Sequence, residues 1–259
     1  MKRTALIGTG FMGSAIGRAL REAFPDIEIG VVDSVPLKRE EALSTFADKD
    51  FGTESGRAMA WADLTILAVK PQDLSAITAP SGTAILSVLA GTSIARISST
   101  VGSDRVARIM PSLAADIRRS VVGLSFATAA DDELVASSRS VARAMGTVLE
   151  VKEDLLHAVT AVSGSGIAFV FDLIHAMALG GVREGLRYDQ ALQGVTEVFG
   201  SAAALLQKTG VSPTEMVTRV CSPAGTTIAG IEALERTGVR AGIMEAIHAT
   251  AMRSRALES

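Results

Sequence analysis

Gly8, Gly10 and Gly13 stand in the stretch GTGFMG, a G-x-G-x-x-G spacing. The apolar run TALIG precedes it, and GSAIGRALREAF follows with apolar residues at helical spacing. A strand, a glycine turn and a helix in that order can cradle a pyrophosphate. The first glycine makes the turn, the second lets backbone N–H groups approach phosphates, and the third lets helix and strand pack closely. The helix N-terminus then favours the phosphate charge. Thr9, Phe11 and Met12 lie in the same turn and join the three glycines as candidate cofactor contacts.

Further along, Asp33 ends the strand-like run IEIGVVD, 20 residues after Gly13. An acid there accepts hydrogen bonds from the adenosine ribose hydroxyls and repels a 2′-phosphate, which leans towards NAD(H) over NADP(H). Lys38 and Arg39 follow closely and offer the opposite reading, a seat for that phosphate. Ser34 and Ser55 are counted with the candidate cofactor contacts. AVKP, from Ala68 and Val69 to Lys70 and Pro71, ends another strand-like run. SVLAG, ending in Ala90 and Gly91, and RIMPS, with Met110 and Pro111, end two more. Ligands of parallel sheets sit at the carboxyl ends of strands, so these loops should line one crevice. Lys70 reads either as a solvated charge or as a neighbour of the nicotinamide.

The stretch CSPAGTTIAG, residues 221–230, poses a different problem. It interrupts an apolar, helical half of the chain with Ser222, Pro223, Gly225, Thr226 and Thr227. It holds no Lys, His or carboxylate, hence no ordinary acid–base group. SGSG, residues 163–166, opens a helix in the same half. Its glycines permit close helix crossing, so packing alone is one reading; a ligand contact by Ser163 and Ser165 is the other. His157 and His248 fall on helices and read as surface or interface residues. His175 is placed at i+3 from Asp172 as a packed or interfacial pair. No spacing suggests a metal site.

The elements that must position these residues follow from periodicity. Up to residue 152, TALIG, IEIGVVD, LTILAVKP, TAILSVLAG, DRVARIMP and TVLEV read as strands alternating with helices. That alternation predicts a parallel sheet covered on both faces. From about Glu153 only helical periods remain, with Gly180–Gly181, Gly210 and Gly238 expected as turns or caps. The fold class is therefore α/β, a Rossmann-type doubly wound parallel sheet followed by an all-helical domain. The expected domains are residues 1–152, binding a dinucleotide, and 153–259, for dimerisation and substrate. The helices are apolar on more than one face, as in FVFDLIHAMALGGV and AGIMEAIHATAM. Five of them cannot bury that surface alone, which predicts an intimate dimer.

Composition sets outer limits. With 48% apolar and 20% charged residues in 259, the chain is a folded, soluble protein with room for two domains. A net charge of −3 and 4% aromatics give no case for nucleic acid or an anionic membrane. The one cysteine, Cys221, fits a reducing compartment. No uninterrupted apolar run approaches a membrane span and no signal peptide is evident, so a cytoplasmic location is expected.

These motifs in this order resemble the pyrroline-5-carboxylate reductases. That family's pattern runs G-x-G-x-M-G, A-V-K-P, A-G after a strand and R-x-M-P-N, matched by GTGFMG, AVKP, LAG and RIMPS. AVSGSGIAF stands against T-A-x-S-G-S-G-P-A-Y, and SPAGTTIAGIEALE against S-P-G-G-T-T-I-A-G-L-x-x-L-E. Departures are Ser112 for Asn, Ile167 for Pro, Phe169 for Tyr, Ser212 for His and Ala224 for the first Gly of its pair. The resemblance implies hydride transfer from NAD(P)H to the C=N bond of a cyclic imino acid, giving L-proline. It also implies a homodimer or a ring of dimers joined through helices after residue 153.

That chemistry explains the odd turn. A protonated imine already accepts hydride at carbon, and its product is an amine. No alkoxide forms, so no strong general acid is required. The site must orient the ring, donate or accept a hydrogen bond at nitrogen and seat a carboxylate. Hydroxyls and helix N-terminal amides suffice. Pro223 fixes the backbone, Gly225 permits close approach, and the amides of Thr226 and Thr227 can donate to the carboxylate. By resemblance, the Thr227 hydroxyl faces the imine nitrogen and Ser222 helps hold the carboxylate. A β-hydroxyacid dehydrogenase would need an acid–base group, usually a Lys after the Ser-Gly motif, and none lies between Lys152 and Lys208. A reductase of another cyclic imine and a nucleotide-sensing protein without catalysis stand as the remaining alternatives.

Overall fold

The structure, a computed structural model, describes residues 1–258. It divides into two compact units, one of residues 1–165 with 249–258 and one of residues 166–248. The expected boundary at residue 152 follows a change of sequence pattern. The packing divides the chain later and returns the final turns of the last helix to the first unit.

The first unit is built on one eight-stranded sheet of order β3-β2-β1-β4-β5-β6-β7-β8. The strands are β1 (Arg3–Ile7), β2 (Glu28–Val32), β3 (Lys49–Asp50), β4 (Leu64–Leu67), β5 (Ile85–Ser87), β6 (Val106–Met110), β7 (Ser120–Phe126) and β8 (Gly146–Glu150). All neighbours pair in parallel except β6 with β7. The sheet is thus mixed, and the expectation of an all-parallel sheet is corrected at this pair. The link from β6 to β7 holds only a short 3₁₀ turn, Leu113–Ile117. A parallel return needs a crossover of about a dozen residues or more, so so short a link turns the chain back antiparallel. β3 and β7 were not anticipated from the sequence.

Helices cover both faces. The helices α1 (Phe11–Ala23), α2 (Pro36–Thr45) and α5 (Asp132–Met145) supply Ile16, Leu20, Ala42 and Val141 to one buried cluster. The helices α3 (Ser55–Trp61) and α4 (Ile94–Val101) supply Met59 and Ile97 to the other. Along β1 the side chains alternate, with Leu6 in the first cluster and Ala5 and Ile7 in the second. A short helix α6 (Leu156–Val159) and a π-helical turn, Thr160–Gly164, complete this unit's run before residue 166. β7 and α6 approach closely: a Cβ added at Gly123 would lie 2.9 Å from Leu156 and Val159 side-chain atoms.

The second unit comprises α7 (Gly166–Arg183), α8 (Tyr188–Thr209), α9 (Pro213–Val220), α10 (Thr226–Arg236) and most of α11 (Val239–Ala256). Gly210 closes α8 in the left-handed conformation, φ +64°. Gly238 adopts φ +72° ahead of α11. Gly180–Gly181 does not form the expected turn, since α7 runs through it to Arg183. Gly181 instead lets two helices touch, its position facing the Ala191 Cβ at 3.0 Å from an added Cβ. Apolar residues are left uncovered on every helix of this unit, and α9 and α10 bury no residue. The stretch Glu153–Arg183 is also long and apolar enough to cross a membrane by length and composition, at mean hydropathy 1.6 with 11% of that window buried. The expectation from uninterrupted apolar runs did not include it.

Candidate active site

The carboxyl ends of β1, β2, β4, β5 and β6 carry the glycine turn, Asp33, AVKP, the Gly91 turn and Met110–Pro111. The strand order reverses direction between β1 and β4, the point where such sheets bind ligands. Here Gly8 adopts φ +94°, and a Cβ on it would sit 2.7 Å from the Ala68 carbonyl. At Gly13 a Cβ would fall 2.0 Å from the Gly8 carbonyl oxygen. Both glycines are therefore dictated by backbone crowding. Gly10 differs, because a Cβ there would meet nothing within 4 Å. The open space lies at the second glycine, where a pyrophosphate must approach. Gly10 is also the N-cap of α1 and offers no side-chain cap, so the first-turn amides of α1 have no capping side chain. These features fit a dinucleotide.

Asp33 does more than face a ribose. Its Oδ2 accepts hydrogen bonds from the Thr9 amide at 2.8 Å and the Thr9 hydroxyl at 3.0 Å. Its Oδ1 accepts from the Val35 amide at 2.9 Å. Burial pushes the Asp33 pKa up, but these hydrogen bonds and the Lys38 charge outweigh it and hold the carboxyl below its ordinary value. The carboxylate thus fixes the glycine turn while Oδ1 keeps a lone pair for a hydroxyl. Arg39 is committed internally: it donates to the Asp33 carbonyl at 2.6 Å and pairs with Asp50 at 3.0 Å. Lys38, Ser34, Lys70, Pro71, Ala90 and Phe11 are exposed, Ser55 is half-buried, and Pro111 is buried.

In the helical segments, the Ser163 hydroxyl lies 2.8 Å from the Val159 carbonyl and 3.3 Å from the Val121 carbonyl. Its one proton serves the fold. The Ser165 amide donates to the Thr160 carbonyl at 2.8 Å, closing the π-helical turn on which the Ser-Gly motif sits. Such turns occur frequently at functional sites. The polar turn before α10 is held by the Gly225 amide donating to the Ser222 carbonyl at 3.0 Å. A Cβ at Gly225 would stand 2.2 Å from the Ser222 Oγ and 3.1 Å from its carbonyl oxygen, so a larger residue there would displace the Ser222 side chain. Ala224 takes φ +52°, a left-handed conformation that costs a residue with a side chain. Gly225 is the N-cap of α10 with no side-chain cap. By contrast, Ser93, Asp131 and Ser212 cap α4, α5 and α9 with their side chains.

Two side chains behave otherwise than the sequence implied. His157 is buried, not a surface residue; its Nε2 lies 2.5 Å from Glu258 and its Nδ1 2.9 Å from the Ser254 hydroxyl. His175 pairs with the Tyr188 hydroxyl at 3.1 Å, and that contact replaces the expected one with Asp172. Ser112, at a departure from the family pattern, is buried, with its amide donating to the Ser120 hydroxyl at 2.8 Å. Arg108, the first residue of RIMPS, is buried on β6. A charged residue between apolar neighbours in VARIM was the available sign of a buried, partnered cation.

Comparison with known proteins places the chain as a whole. Residues 153–257 match the family described as pyrroline-5-carboxylate reductase dimerisation, and residues 3–91 the one described as NADP oxidoreductase, coenzyme F420-dependent. The chain is similar to a pyrroline-5-carboxylate reductase of Aquifex aeolicus, 33% identical over 260 residues, covering 98% of this chain and 97% of that one. It is similar to one from Arabidopsis thaliana, 34% identical over 263 residues, with 98% and 95% covered. A solved 1-pyrroline-5-carboxylate reductase from Streptococcus pyogenes superposes with a TM-score of 0.88 at 30% identity, covering 98% of each chain.

Proposed function

Because the chain belongs to the pyrroline-5-carboxylate reductase family, we propose that it reduces 1-pyrroline-5-carboxylate to L-proline. It is an NAD(P)H-dependent oxidoreductase acting on a C=N bond. The observation that carries the reading is the N-terminus of α10. Its cap is Gly225, no side chain occupies its first-turn amides, and Thr226 and Thr227 add two hydroxyls.

Bound nicotinamide dinucleotide supplies the hydride. Gly8, Gly10 and Gly13 bring the backbone and the α1 N-terminus to its pyrophosphate, and Asp33 meets its adenosine ribose. The α10 amides and Ser222 seat the substrate carboxylate, and the Thr227 hydroxyl makes the hydrogen bond at the imine nitrogen. No group of the turn moves a proton as a strong acid, because the product amine needs none. The internal commitment of Arg39 and the ionised Asp33 both favour NADH over NADPH.

The uncovered apolar helices of residues 153–259 support assembly as a homodimer or a ring of dimers. The single Cys221 suits a reducing, cytoplasmic setting. The test is turnover of a panel of five- and six-membered cyclic imines with NADH and NADPH. We expect 1-pyrroline-5-carboxylate to lead, and NADH to serve at least as well as NADPH. A better six-membered substrate would reassign the imine. A kcat/KM with NADPH about tenfold or more above that with NADH would reassign the cofactor and turn attention to Ser34 and Lys38.

A further inference from the structure

Arg108 lies on β6 at 1% exposure, and its Nη1 donates to Glu153 at 2.8 Å and to Glu258 at 2.5 Å. Its Nε has no hydrogen-bond partner among the described residues. The guanidinium is therefore held from one end, by two carboxylates from segments far apart in sequence. A buried charge is tolerable only with such partners, and removal of one leaves the other uncompensated. Glu258 is itself fixed through its second oxygen by His157 at 2.5 Å.

The same carboxylates reach the cofactor loops. The Glu153 oxygen that holds Arg108 also accepts the Ile94 amide at 2.6 Å, at the start of α4 directly after the Gly91 turn. Gly91, at φ +62°, backs onto the segment that follows α11: a Cβ there would stand 2.9 Å from the Leu257 carbonyl oxygen. Leu257 thus packs on one candidate cofactor loop. Glu258 ties the strand that leads into the other, Met110–Pro111.

We propose that Leu257 and Glu258, acting through Arg108 and Glu153, are positioning residues for the two loops on the nicotinamide side of the crevice. They contact no reacting atom. Their role is to fix the Gly91 turn and the end of β6, and the adenosine half, served by Gly8–Gly13 and Asp33 on β1 and β2, is independent of them. This rests on the nucleotide reading above.

The test compares full-length wild type, Glu258→Ala and Glu258→Gln for binding of NADH and of ADP-ribose, which lacks the nicotinamide. In Glu258→Ala the NADH Kd should rise about tenfold, equivalent to about 1.4 kcal/mol, while ADP-ribose binding stays within about twofold. Glu258→Gln keeps an acceptor for Arg108 and should recover most of the NADH affinity. Equal weakening of both ligands, or no change in either, overturns the proposal. If Glu258→Ala does not fold, Glu258→Asp, one methylene short of Arg108, is measured for the same split. A wild type that binds neither NADH nor NADPH refutes the nucleotide reading instead.

Discussion

The two units dispose of apolar side chains in opposite ways. In the nucleotide-binding unit, Leu6, Ile16, Ile66, Leu86 and Ile97 are all at 1% exposure or less, in two clusters that sandwich the sheet. In the helical unit, Phe171 stands 54% exposed, Val220 67% and Met244 68%. Fully burying one such side chain contributes about 1.5–3 kcal/mol, so these helices leave most of their available stabilisation unused within one chain. The first unit's fold is determined by its own core. The second has the sequence of buried helices without the cover, in the region that matches a dimerisation family.

The most severe way to break that contrast is a charge on the helical face. Phe171→Asp should convert the assembly to monomers, because an unpaired buried carboxylate costs several kcal/mol. Turnover should fall by more than about 100-fold. The matched control is Leu37→Asp, 71% exposed on α2, which should leave both unchanged. Light scattering and initial rates decide it; a fully assembled Phe171→Asp would mean that α7 lies outside the interface. The counterpart in the nucleotide unit is Gly13→Ala. Its Cβ would collide with the Gly8 carbonyl, a backbone group that cannot step aside. Overpacking of this kind costs about 3 kcal/mol, so cofactor affinity should drop by about 100-fold while the oligomer persists. Unchanged NADH binding would show that the turn is not the pyrophosphate seat.

The sequence was most informative where structure is local. β1, β2 and β4 are largely apolar runs ended by turn residues, and in the glycine turn between β1 and α1 backbone crowding dictates Gly8 and Gly13 while Gly10 leaves open space. β7 was not anticipated from the sequence. Its antiparallel direction depends on the length of the preceding link, not on its own residues. Long-range partners were not legible: Arg108 among apolar neighbours signals a buried, paired cation, but nothing near it or His157 points to Glu258. Gly180–Gly181 misled for the same reason, since its use is contact with Ala191 and not a turn. At the candidate site the SPAGTT turn was legible as a helix start. The strain at Ala224 was not, because φ depends on the whole turn.

Two milder substitutions sharpen the comparison from the helical side. Thr227→Val keeps the shape of the α10 turn and removes one hydroxyl. A hydrogen bond to a charged group contributes about 1.5–3 kcal/mol, so kcat/KM should fall by roughly 10- to 100-fold. NADH affinity should be nearly unchanged; full activity would reduce the turn to a carboxylate seat or a cap. The smallest effect is expected for Ala224→Gly. Glycine adopts φ +52° without strain, and relief of the left-handed penalty, less the added chain entropy, should stabilise the protein by up to about 1 kcal/mol. A lower melting temperature would show that the Ala224 side chain makes packing contacts that outweigh its backbone strain.

The contrast between the units reduces to one measurement, the molar mass of the purified chain in solution across the concentrations at which it turns over. A dimer, or a multiple of dimers, is expected at every concentration that shows activity, with activity lost on dilution to monomers. A stable, active monomer would contradict it, because the exposed helical faces would then need no cover.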